Sequence, residues 1–119
     1  MALYQLRVLE LHNVNQVRAE IANIGADSSW LNDRTDLEGL KVLRLENILP
    51  KLARFLYQEM MMEGGQVALP ARMDDRSPES VHVLIFGNPT QFDHLNIRIR
   101  TQSVEELDIL ADEMERLLE

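Results

Sequence analysis

The sequence predicts an α+β domain, a mixed four-stranded sheet covered by helices in the order β-α-β-α-β-β-α-α. Three observations predict it. Apolar runs of strand length, alternating or continuous, occur at 3–11, 40–48, 66–70 and 81–87. Apolar residues at helical spacing, bounded by capping or stopping residues, occur at 13–25, 49–63 and 103–119. No repeat, low-complexity tract or flexible linker divides the 119 residues, so one domain spans 1–119.

The first strand, "LYQLRVLEL", places Tyr4, Leu6 and Val8 on one side and Leu9 and Leu11 on the other. A helix follows. Asn13 is its expected N-cap, with Gln16 at the capping-box spacing. Val14, Val17, Ile21 and Ile24 recur at helical intervals, and Gly25 stops the helix. Residues 26–39 are rich in Asp, Ser and Asn and read as a loop, pinned to the body by Trp30 and Leu31.

"LKVLRLENI" reads as the second strand, and Pro50 suits the first turn of the next helix. Leu49, Leu52, Ala53, Leu56 and Met60 form its apolar face, opposite a narrow stripe of Lys51, Arg54 and Gln58. Met61 and Met62 fall on the shoulders between. Gly64 and Gly65 end the helix, because glycine accepts the positive φ that helix C-termini often require. "QVALP" and "VHVLIFG" follow as a short strand and the central one, joined as a hairpin. The strands joined through helices are expected to run parallel, with right-handed crossovers.

Asn88 and Pro89 read as the cap and first residue of another helix, with Phe92, Leu95 and Ile99 on one face. Leu95, Ile97 and Ile99 also alternate within "LNIRIR", so helix and edge strand are both open over 95–101. In the last helix Ser103 and Glu106 have capping-box spacing. Val104, Leu107, Leu110, Ala111, Met114, Leu117 and Leu118 make its apolar stripe, and Ile109 lies on the polar side.

Composition excludes several classes of function. Twenty acidic residues against twelve basic ones give a net charge of −8 without a basic run, which opposes phosphate backbones, so nucleic acid is not an expected partner. No cysteine is present, which removes disulfides and thiol nucleophiles and fits a cytoplasmic chain. No segment approaches the roughly 20 apolar residues of a membrane span.

A catalytic centre needs nucleophiles, bases and charge stabilisers that converge. His12, His82 and His94 share no metal-ligand spacing, and no glycine-rich phosphate loop or nucleophile elbow occurs. His82, inside an apolar strand, is expected to be structural. "MDDR" at 73–76 lacks the further oxygen ligands of a calcium loop, and "DSS" at 27–29 reads as a turn. No catalytic residue, metal or cofactor is assigned. Two candidate sites remain: an interaction surface including Met61, Met62 and Ile109, and a ligand pocket shaped by Trp30, Gly64 and Gly65. Methionine packs adaptably and is favoured on surfaces that accept partners.

An ordered series of motifs carries a resemblance. It comprises "IGAD" at 24–27, "KVLRLENILPKLARFLYQEMMMEGGQVALP" at 41–70, "VHVLIFGNPTQFDHL" at 81–95 and "LADEMERLLE" at 110–119. The series resembles the domain that precedes the catalytic barrel in some bacterial dihydropteroate synthases. The matching positions are Arg44 to Asn47 at a strand end, Gln58 to Met60 on the helix, then Gly64, Gly65 and Ala68. The pterin-binding and catalytic motifs of that family belong to the barrel, and none occurs here. The resemblance therefore implies a non-catalytic accessory domain linked to folate biosynthesis. It would dock on a synthase barrel or a second copy of itself, or bind a pterin or folate.

Overall fold

A computed structural model describes residues 5–10, 14–27 and 40–118. It contains β1 (Gln5–Leu9), α1 (Val14–Asn23), β2 (Lys41–Ile48), α2 (Pro50–Met62), β3 (Gln66–Ala68), β4 (Val81–Gly87), α3 (Pro89–Arg100) and α4 (Glu105–Leu118). The α+β class and the element order are those the sequence predicts. His12, the expected cap Asn13, Ser28 and Ser29 of the expected turn, and Trp30 and Leu31 of the expected loop lie outside the described residues.

The sheet order is β1-β2-β4-β3, and every pairing is antiparallel. The parallel neighbours expected from the helical connections do not form. β2 and β3, joined through α2, do run in the same direction, but β4 lies between them as the antiparallel partner of both. Between β1 and β2, residues 24–40 follow α1. β1 and β2, also joined through a helix, pair antiparallel. One intervening helix therefore does not dictate one crossover.

Helices cover both faces of the sheet. Val17 and Ile21 of α1, with Ile24 just past its end, pack against Val42, Leu84 and Phe86 on one face. On the other, Leu56 and Met60 of α2, Leu95 and Ile99 of α3, and Leu110 and Met114 of α4 pack against Leu43, Leu45, Val83 and Ile85. Each such side chain, fully buried, contributes roughly 1.5–3 kcal/mol. α2 packs beside β3 and α4 beside β1, while α3 touches both helices. The continuous apolar run of β4 reports burial on two faces, which an antiparallel sheet between helical layers also satisfies.

One residue resets the pattern of β2. Leu45 pairs with Val83 and Ile48 with Val81, so Glu46 and Asn47 together oppose His82 in a β-bulge. Asn47 takes φ +63, in the left-handed region. Ile48 consequently joins Leu43 and Leu45 on the three-helix face, although strict alternation would point it away. His82 has a structural role here: its Nδ1 accepts the Asn47 N–H at 3.2 Å.

Local signals fix the helix ends. At α1, Gly25 has φ +77, with its N–H bonded to the Ala22 carbonyl and the Ala26 N–H to that of Ile21. At α2 the same pair of bonds runs from Gly64 to Met61 and from Gly65 to Met60, with Gly64 at φ +86. α3 opens with a complete capping box between Asn88 and Gln91 and with Pro89 in the first turn. Residues 95–100 are helical, which removes the edge-strand alternative. At α4 the Asp108 N–H bonds to the Val104 carbonyl, so Val104 holds the cap position. Ser103, at φ +55, makes the preceding reversal instead of the expected cap.

No helix among the described residues is long and apolar enough to cross a membrane.

Candidate functional site

The outer surface of the three-helix layer begins with the frame of α2. Ala53, Leu56 and Met60 are fully buried at the helical spacing of one face. Each further residue rotates by about 100°, so the next two point away. Met61 is 44% exposed and Met62 is 68% exposed. Core packing accounts for neither.

Large apolar residues left exposed are distributed unevenly. Leu49 at the start of α2, Met61 and Met62, Ile97 on α3, and Val104 and Ile109 at α4 all belong to the three-helix layer. Val8 of β1 pairs with Leu43 and so points to that same face of the sheet. No other large apolar residue among the described ones is exposed to this degree. Met61 and Met62 sit on the helix beside β3 and Ile109 on the helix beside β1, with α3 between. The expected residues thus share a layer but do not form one contiguous patch.

A charge network ties the end of α2 to α3. Glu63 Oε2 accepts from Arg98 Nε at 2.5 Å, and Glu63 Oε1 lies 2.7 Å from His94 Nδ1. Arg98 Nη1 also reaches Glu59 at 3.3 Å and the Met62 sulfur at 3.8 Å. Gln91 Nε2 donates to the Glu63 carbonyl at 3.2 Å. The Arg98 hydrogen bond, and then that of His94, hold the Glu63 carboxyl below its ordinary value, while Arg98 is raised chiefly by Glu63. An ionised carboxylate only accepts, so Nδ1 of His94 is the donor in this contact. This geometry anchors one helix to the next.

The candidate chemistry resolves into structural roles. Asp74 Oδ1 accepts the Arg76 N–H at 3.0 Å, which closes a turn. Asp75 forms a two-pronged pair with Arg54 at 3.0 and 3.3 Å, and Arg54 stacks 5.5 Å from the Tyr57 ring. No group of three or more metal-ligating side chains occurs among the described residues. Gly65 accommodates close neighbours: a Cβ there would lie 2.8 Å from Met60 Cγ and from the Phe86 carbonyl oxygen. Among the clefts on the described surface, one lies between α3 and α4 and another beneath residues 70–81. Neither is lined by Gly64 or Gly65.

Ile97 and Arg98 are among the surface residues that sequence reasoning missed, as are Leu49 and Val104, expected on apolar faces but 45% and 41% exposed. The alternation of Leu95, Ile97 and Ile99 concealed Ile97. In a helix Leu95 and Ile99 share a face and are buried, while Ile97, about 200° around from Leu95, is 62% exposed. Arg98 and Arg100 diverge in the same way, the first toward α2 and the second toward Asp112 and Glu115 of α4.

No protein-family model, curated protein or solved structure matches this chain.

Proposed function

We propose that this chain is a non-catalytic interaction domain that docks on another protein through its three-helix face. The observation that carries the reading is the one-sided distribution of exposed apolar residues, from Val8 and Leu49 to Ile109. Single exposed apolar side chains are ordinary; what supports the reading is that, among the described residues, all the large exposed ones lie on the three-helix side. The motif series from Arg44 to Ala68 supports a place in cytoplasmic folate biosynthesis, with a dihydropteroate synthase barrel as partner. A second copy of the chain is the alternative partner.

The test combines the purified chain with a separately expressed dihydropteroate synthase barrel in sedimentation velocity. Wild type should co-sediment. Met61→Glu with Met62→Glu should weaken the complex roughly tenfold or more, equivalent to about 1.4 kcal/mol, with an unchanged circular dichroism spectrum. A wild-type chain that sediments as a free monomer with and without the barrel overturns the reading.

A further inference from the structure

We infer that the groove between α3 and α4 receives a basic, amphipathic segment of the partner protein, an inference that rests on the interaction-domain reading. The groove has a volume of about 430 Å³, within the range of roughly 300–1,000 Å³ typical of binding pockets. Phe92 and Met114, 2% and 1% exposed, form its floor. Ile97 and Leu118 form apolar walls, and Asp93 and Glu115 stand among the lining residues.

The groove's own groups leave a defined chemistry for the occupant. Asn96 Nδ2 is engaged by the Ala111 carbonyl at 2.8 Å. Arg100 Nη2 is engaged by Asp112 and Glu115 at 2.8 and 2.9 Å. Asp93 has no ion-pair partner among the described residues. Of the six carboxylates on α4 only Glu115 lines the groove, but the helix as a whole carries a net −5 against its one arginine, in a chain of net −8. This potential repels phosphate-rich surfaces and a second copy of the same helix, and it attracts Lys and Arg. An occupant with an apolar residue for the Phe92–Met114 floor and flanking basic residues satisfies both features, as in recognition of an amphipathic helix in a groove.

The probe is a synthetic amphipathic peptide of leucine and lysine, compared with its leucine–glutamate counterpart and titrated into the full chain by calorimetry and amide NMR. The lysine peptide should shift Asp93, Ile97 and Leu118, and the glutamate peptide should not bind. Ile97→Lys and Asp93→Lys, both at exposed positions, should each weaken binding roughly tenfold, and Glu105→Lys less than about threefold. Shifts mapping away from the groove, equal losses for all three variants, equal binding of the two peptides, or no binding each overturn the inference. Self-association through the groove, seen as a dimer that Ile97→Lys dissolves, also overturns it. If Ile97→Lys still binds the synthase barrel at wild-type affinity, the groove fails while the interaction-domain reading stands. If wild type binds neither barrel nor lysine peptide, both fail.

Discussion

The backbone N–H of Asn47 donates to Nδ1 of His82 at 3.2 Å, across the point where two residues of β2 face one residue of β4. A bulge leaves backbone groups outside the regular ladder, and here an imidazole on the opposing strand meets one of them. The bulge returns Ile48, 1% exposed, to the core that α2 completes. His82→Ala should therefore destabilise the fold by about 0.5–1.5 kcal/mol, the net worth of one hydrogen bond. Asn47→Val, forced to φ +63, should cost about 1–2 kcal/mol, whereas Asn47→Gly escapes that strain. Urea midpoints would test the ordering, and a Val variant as stable as the Gly variant would refute it.

Gly65 is required by space and Gly64 by backbone angle. Gly65→Ala would place a methyl group 2.8 Å from the Phe86 carbonyl oxygen, which belongs to the central strand. A cost of about 1–3 kcal/mol is expected, as for other overpacked sites. Gly25→Ala meets nothing within 4 Å, so only its φ of +77 is penalised, by about 1–2 kcal/mol. Crystallography of the Gly65→Ala variant should show Met60 displaced. An unmoved Met60 with unchanged stability would contradict this packing.

Glu63 should contribute to acid sensitivity. Arg98 and His94 depress its carboxyl below 4.5 in the folded chain. The stabilisation is thus complete above pH 4.5 and is lost as pH falls through the lower folded value. Glu63→Gln should be less stable than wild type at neutral pH, and the gap should narrow below pH 4.5. Denaturant midpoints across acid pH read this directly. A gap that stays constant until acid unfolding would exclude the coupling.

Arg44 is 7% exposed on the α1 side of the sheet, and its Nη1 bonds to Glu20 at 3.1 Å. Its Nε lacks a hydrogen-bond acceptor, although Glu46 lies 3.5 Å away. Removing Glu20 leaves the buried guanidinium less compensated, whereas Arg44→Met removes the charge itself. Glu20→Ala should therefore destabilise more than Arg44→Met. Its cost should stay below the roughly 3–5 kcal/mol of a fully buried broken pair, because the Glu20 side chain remains 30% exposed. Calorimetric melting of both variants decides the order.

Much of the fold was legible along the chain. Val17 and Ile21 of α1 with Ile24 just beyond it, the Asn88–Pro89 start of α3 and the glycine stops at 25 and 64 are local signals read at their own positions. The candidate site was legible in part. Met61 and Met62 stood out as residues for which the α2 core had little room, while Ile97 was hidden by a pattern that suits either a strand or a helix.

By itself the sequence determined which segments become helix or strand, where most of them stop, and that the charge is strongly negative. Periodicity and capping chemistry act within a few residues, so those outcomes need no distant partner. The tertiary structure alone decided that β4 inserts between β2 and β3, that all pairings are antiparallel, and that His82 meets Asn47. It also decided that Glu63 joins Arg98 and that a groove opens between α3 and α4. Those relationships depend on which apolar faces are buried together. A local pattern records that a face is apolar, but not what covers it.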